Sequence, residues 1–161
     1  MMNVFLLLGS NLGDRNAHLK NAIRHIENEV AQIIQASAIY ETQSWGKTDS
    51  PDYLNQVILI ETELSAQTLL QKLLNIEWVI GRTREEKWGP RIIDIDILFY
   101  GDEVIDEPDL QVPHPHLHTR RFTLDPLAEL APTLIHPILG KNILQLKNEL
   151  TDSLVVKKLY F

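Results

Sequence analysis

The residues best placed to do chemistry are Asp94 and Asp96, inside the run Gly81–Leu98, GRTREEKWGPRIIDIDIL. From Ile92 to Tyr100 the chain is almost wholly aliphatic or β-branched, which predicts a strand ended by a Gly101-Asp102 turn. Strand side chains alternate faces, so the two carboxylates point one way while Ile93, Ile95 and Ile97 point the other, into a core. Paired carboxylates in so apolar a strand are costly unless partnered. Arg82, Arg84, Lys87 and Arg91 immediately precede them, with Gly89-Pro90 between. That layout points to a divalent metal on the carboxylates and a polyanion held by the cations. An Asp–Arg salt-bridge network on an edge strand is the plainer alternative. Magnesium suits such a pair, because it takes oxygen ligands, keeps waters and shares carboxylates with substrate phosphates. Two neighbouring carboxylates can also bridge two metals, which suits an in-line displacement at phosphorus. The arginines would then neutralise the transferred group.

Other candidates are scattered. His114, His116 and His118 alternate within a proline-containing segment that lacks acids, where a phosphate contact or simple loop structure fits better than zinc. Tyr53 and Phe122 are each either core residues or flat stacking surfaces for an aromatic ligand. Asn55 offers donor and acceptor to a heterocycle edge, or fills out an edge strand. Trp45 lies in a long polar connection, Glu41 to Asp52, and is either a binding residue or folded back on the core. The turn Gly9-Ser-Asn-Leu-Gly-Asp14 matches neither the Walker spacing nor G-x-G-x-x-G and reads as a strand-to-helix turn.

The chain has 161 residues, 44% of them hydrophobic and 23% charged, enough for one domain over residues 1–161. A net charge of −7 argues against nucleic acid, whose backbone asks for a broadly basic face. Local basic clusters in an acidic chain suit a small polyanion such as a nucleotide. Without cysteine there is no disulfide, thiol catalysis or thiolate zinc site. No apolar run is long enough for a signal sequence or membrane span, so a cytoplasmic protein is expected, acting as a monomer.

The elements that must position these residues follow from periodicity. Asn3–Leu8 reads as a strand, then Leu19, Ala22, Ile23, Ile26 and Val30 recur at helical spacing. Ile33–Tyr40 reads as a second strand and Tyr53–Leu64 as a third, antiparallel to it, with Tyr53, Asn55, Val57 and Leu59 on one face. Ser65 caps a helix with Leu69, Leu73, Ile76 and Ile80 inward, ending at Gly81. The order β-α-β-β-α-β predicts an α+β, ferredoxin-like sandwich whose two helices cover one sheet face. Glu103–Leu110 is expected as a short hairpin partner following the Gly101-Asp102 turn, and Val112–Phe122 as irregular. Asp125-Pro126 is expected to cap a helix to Leu130, followed by a helix over Asn142–Leu150 and a strand or tail over Leu154–Phe161.

Taken in order, several segments resemble the 6-hydroxymethyl-7,8-dihydropterin pyrophosphokinase family of folate biosynthesis. They are Leu8–Asp14, Tyr40-Glu-Thr42, Pro51–Asn55, Ile76-Glu77 with Gly81-Arg82, Trp88–Leu98, Val112–Pro115, Arg120–Phe122 and Pro126–Pro132. The Gly-Pro-Arg-x-x-Asp-x-Asp segment is the most specific of them. The resemblance implies transfer of a whole pyrophosphoryl group from ATP to the pterin hydroxymethyl oxygen, releasing AMP. It implies two Mg²⁺ on Asp94 and Asp96, with Arg82 and Arg91 beside them in catalysis. It assigns ATP to Glu77, Arg84, Trp88, Ile97, His114 and Arg120. It assigns the pterin to Thr42, Gln43, Trp45, Tyr53, Asn55 and Phe122. The chain departs from relatives in the acidic Glu85-Glu86, in Lys87, in Gln43-Ser44, and in Asp109 and Gln111 at the implied adenine site. Two alternatives stand beside this reading. One is a non-catalytic ferredoxin-like binding module, which would not need the carboxylates to share a pocket with Tyr53 and Phe122. The other is a metal-dependent nucleotidyltransferase with a different acceptor.

Overall fold

The computed structural model describes residues 1–42, 52–81, 92–151 and 155–159. Strand β1 (Met2–Ser10) is followed by α1 (Arg15–Glu29), β2 (Ile33–Ala36), β3 (Tyr40–Thr42), β4 (Tyr53–Thr62), α2 (Ala66–Gly81) and β5 (Asp94–Tyr100). The sheet runs β5-β1-β4-β3 with β2 also on β4, every pairing antiparallel, which is the ferredoxin-like order. Beyond this frame lie a hairpin of β6 (Ile105–Glu107) and β7 (Leu110–Val112), a 3-10 turn at Leu117–Thr119, α3 (Arg121–Leu130), α4 (Ile143–Asn148) and β8 (Val156–Lys158), which extends the sheet beside β3.

The predicted periodicities explain the core. Val4, Leu6 and Leu8 of β1, Leu54, Ile58 and Ile60 of β4, and Ile95 and Ile97 of β5 face α1 and α2, which supply Leu19, Ala22, Ile26, Leu69, Leu73, Ile76 and Ile80. Asp14 caps α1 by accepting from the Ala17 N–H at 3.1 Å, and Gly13 supplies the left-handed turn before it at φ +60°. Ser65 caps α2, its hydroxyl accepting from the Thr68 N–H at 3.2 Å.

The second strand is interrupted. Ala36 pairs with Ile58 and Tyr40 with Asn55, so four residue steps on one strand meet three on β4. Ser37 fills the gap: its N–H donates to the Val57 carbonyl at 2.8 Å, its hydroxyl accepts from the Val57 N–H at 3.0 Å, and its carbonyl accepts from Gln56 Nε2 at 2.8 Å. The segment Glu103–Leu110 differs from expectation in its partner: β6 pairs with β7, not with β5.

The expectation that Pro126 opens a helix is also corrected. α3 begins at Arg121, and Pro126 lies inside it. A proline there removes the bond to the carbonyl four residues earlier, yet α3 buries Thr123, Leu124 and Leu127 against the sheet, and that packing outweighs the local penalty. Phe122 therefore sits in the first turn of a helix rather than in a loop. α3 and α4 form a second apolar layer over Phe5, Leu7, Val57, Leu98 and Phe99, covering part of the face that α1 and α2 leave open.

Candidate active site

The part of that second face that lies beyond α3 and α4 gathers the candidate residues among the described residues. Residues paired across neighbouring strands share a face. Gly9 of β1 pairs with Asn55 on one side and Asp94 on the other, so Asn55, Gly9 and Asp94 form a row across β4, β1 and β5. Leu7 pairs with Asp96, which places the second carboxylate one step deeper. Thr42 pairs with Tyr53, and Tyr40 with Asn55, which extends the row toward β3. Both aspartates are half-buried, while Ile93, Ile95 and Ile97 are buried on the opposite side, as the alternation predicts.

The sequence makes this end of the face polar. Gly9 is required by close approach: a Cβ built on it would stand 2.8 Å from Asn55 Nδ2. That nitrogen donates to the Leu8 carbonyl at 3.3 Å, and Asn55 is only 5% exposed, so its amide is fixed across the glycine. Thr42 is buried too, and its hydroxyl oxygen has no protein hydrogen-bond partner. Burial raises the Tyr53 phenol above its ordinary pKa, and the negative charge of Asp94 raises it further. The phenol and the carboxylate therefore share one environment, as the strand register independently requires.

Phe122 packs at the border of the second apolar layer, beside the site, with the Arg120 guanidinium 5.5 Å from its ring centroid. That cation–π contact holds a positive charge where the α3 N-terminus meets the open face.

A cleft of about 380 Å³ runs along the free edge of β5. Glu77, Asp96, Ile97 and His114 line it, with Leu70, Leu74, Asp109 and Gln111 on its walls. Glu77 reaches from α2 to accept the Ile95 N–H at 2.7 Å, occupying a donor that an edge strand leaves unpaired. The His114 N–H donates to the Leu98 carbonyl, and His114 Nδ1 accepts from the His116 N–H at 3.2 Å. That acceptor role fixes the neutral ring with its proton on Nε2. Burial lowers the His114 pKa to about 4, aided by the charges of Arg120 and His116. At neutral pH this histidine is an uncharged donor.

The donor chemistry of Asp94 and Asp96 bears on a magnesium site. Among the described residues no group of three or more histidines, cysteines or acids could hold a metal. Two half-buried carboxylates from one strand, Asp96 lining the cleft, are the donor set expected of a magnesium site whose shell is completed by water and other oxygens. The residues fit.

Several expected residues come together here: Asp94, Asp96, Tyr53, Asn55 and Thr42 on the open face, Phe122 and Arg120 at its border, and Glu77, Ile97 and His114 along the cleft. Arg82, Arg84, Trp88 and Arg91, and Gln43 and Trp45, lie outside the described residues. The sequence placed Gly9 only in a turn, not as the floor between Asn55 and Asp94. Its signal was present in β1, where apolar side chains fill the same face at Phe5 and Leu7 and stop at Gly9.

A ferredoxin-like sheet that brings two carboxylates, an amide and a phenol together on one face has the donors of a small-molecule site. The chain belongs to the 7,8-dihydro-6-hydroxymethylpterin-pyrophosphokinase family, whose model matches residues 5–132. It is 45% identical to the 2-amino-4-hydroxy-6-hydroxymethyldihydropteridine pyrophosphokinase of Aquifex aeolicus, over 94% of each chain. It is 37% identical to that of Haemophilus influenzae, over 98% of each. Among solved structures, the Plasmodium falciparum HPPK-DHPS triple mutant with STZ-DHP superposes with a TM-score of 0.77 at 18% identity. That match covers 92% of this chain but 43% of the Plasmodium chain, and establishes the fold.

Proposed function

We infer that this chain transfers the pyrophosphoryl group of ATP to 6-hydroxymethyl-7,8-dihydropterin in folate biosynthesis, giving the pterin diphosphate and AMP. The observation that carries the reading, within a chain of this family, is the row Asn55–Gly9–Asp94. It sets an amide suited to a heterocycle edge one strand away from a carboxylate suited to a metal–triphosphate.

In this reading Tyr53, Asn55, Thr42 and Phe122 hold the pterin, with Gln43 and Trp45 completing its site. Glu77, Ile97 and His114 line the nucleotide cleft, and Arg84, Trp88 and Arg120 contact ATP. The pterin hydroxymethyl oxygen attacks the β-phosphorus, the bond from that phosphorus to the oxygen of the α-phosphate breaks, and AMP leaves with that oxygen. Asp94 and Asp96 would hold two Mg²⁺; the bound metal would screen the triphosphate charge and lower the pKa of the attacking hydroxyl. Arg82 and Arg91 neutralise the group in transfer. His114, uncharged with its proton on Nε2, donates to a phosphate oxygen without competing for a proton near neutral pH. Residues 1–161 act as one catalytic domain, a monomer working in the cytoplasm. Among the described residues, no helix is long and apolar enough to cross a membrane.

Incubation with ATP, Mg²⁺ and the hydroxymethyl pterin tests the reading. AMP is the expected product. Accumulation of ADP would refute pyrophosphoryl transfer, and release of inorganic pyrophosphate would select the nucleotidyltransferase instead.

A further inference from the structure

At its β3 side this face rests on a short ladder. Among the described residues three pairs join β3 to β4, the outermost Thr42 with Tyr53, while β8 pairs with β3 on its other side. So short a ladder holds its residues firmly only where further contacts tie the strands. Just before Thr42 stands Glu41, and just before Tyr53 stands Asp52.

Arg15, the first residue of α1, reaches both. Its Nη1 donates to Glu41 Oε2 at 2.8 Å and to the Asp52 carbonyl at 2.6 Å. The contacts span 26 and 37 residues of sequence, so neither follows from local chain geometry. Arg15 and Glu41 side chains are each 27% exposed, partly withdrawn from solvent, where a charge-assisted hydrogen bond is stronger than on an open surface. Arg15 is itself held in place, because Gly13 and the Asp14 cap fix the start of α1.

We propose that Arg15 is a positioning residue for the pterin substrate: it clamps the two strand ends that present Thr42 and Tyr53. The proposal rests on the assignment of those residues to the pterin. Arg15 touches neither substrate in this scheme. It acts by holding Thr42 and Tyr53 in register, so that the ring meets a preformed surface rather than a frayed one. The nucleotide cleft lies at the opposite edge of the sheet, on β5, and does not depend on this clamp.

The proposal therefore predicts a split between the two substrates. Arg15→Ala raises the KM for the pterin about tenfold, while the KM for ATP and kcat stay within about twofold. Glu41→Gln removes the ion pair but leaves the Asp52 contact, and raises the pterin KM about threefold. Because both changes break one clamp, the double variant is no worse than Arg15→Ala alone. Arg15→Lys keeps the charge and restores part of the pterin affinity. A folded Arg15→Ala protein with unchanged pterin KM would overturn the proposal, as would an equal rise in both KM values. If Arg15→Ala does not fold, Glu41→Gln decides on the same criterion. Wild-type enzyme that released no AMP would sink the assigned reaction. Titration of the variants with the fluorescent pterin would then still read the clamp through binding alone.

Discussion

One face of one sheet is put to two uses. At one end, Phe5 and Leu7 of β1, Val57 of β4 and Phe99 of β5 lie under α3 and α4, and most are closed from water. A few residues along the same strands, on the same face, stand Gly9, Asn55 with Tyr53, and Asp94 with Asp96. The backbone ladder does not change between the two ends; the side chains do. Apolar side chains attract a covering layer and gain about 25 cal/mol per Å² buried. The polar end, floored by a glycine, gains nothing from such a layer and stays available to ligands. A binding face and a core face here differ only in which residues follow one another at every second position.

The comparison can be broken at either end. The largest effect is expected from Asp96→Ala: a loss of about a thousandfold in turnover, on the order of 4 kcal/mol, with melting temperature nearly unchanged. A variant that kept the wild-type AMP release rate would remove Asp96 from the metal site. Leu127→Ala at the covered end should do the reverse, costing about 2–5 kcal/mol in stability while leaving the catalytic groups in place. Urea unfolding with an activity assay at low temperature separates the two. Between them falls Gly9→Ala, whose added carbon must displace the Asn55 amide; pterin affinity should fall about tenfold, with ATP affinity preserved. Equal losses for both substrates would mean that Gly9 supports the fold rather than the pterin side.

The smallest effect concerns pH. His114 is neutral in the folded protein down to about pH 4 because burial, then Arg120 and His116, disfavour its charged form. The unfolded chain binds this proton near pH 6.5, so stability from His114 is complete above 6.5 and drains away as pH falls toward 4. His114→Gln should flatten the melting temperature against pH across that window, while the parallel contribution of His136, whose pKa is also lowered, remains. An unchanged slope would mean that His114 is protonated alike in both states.

The parts legible in the sequence were those set by local periods. The two-residue alternation in Ile92–Tyr100 placed Asp94 and Asp96 together, and the helical spacing of Leu69, Leu73, Ile76 and Ile80 placed α2. Pro126 misled, because a local penalty on helix continuation lost to the burial of Leu124 and Leu127. The partner of β6 could not be read, since a short strand carries no mark of which neighbour it meets. The contacts of Arg15 with Glu41 and Asp52, and of Glu129 with the Tyr40 hydroxyl at 2.7 Å and the Ala38 N–H at 3.0 Å, join segments far apart in sequence. Only folding makes them neighbours. Burial alone would raise the Glu129 carboxyl, but these bonds and the charge of Lys158 outweigh it and hold its pKa down.

The extra residue at Ser37–Ile39 changes the parity of everything after it. Had the pairing continued in the register of Ala36 with Ile58, Ile39 would stand opposite Asn55 and Glu41 opposite Tyr53. An acid would then stand beside Tyr53 on the face it shares with Asn55, and Thr42 would point toward α1. The inserted step exchanges the two sets. Tyr40 and Thr42 turn to the open face, Lys158 comes with them toward Glu129, and Glu41 turns back to meet Arg15. Deleting one residue between Ser37 and Ile39 would leave the composition nearly untouched and invert which side of β3 meets Asn55 and Tyr53.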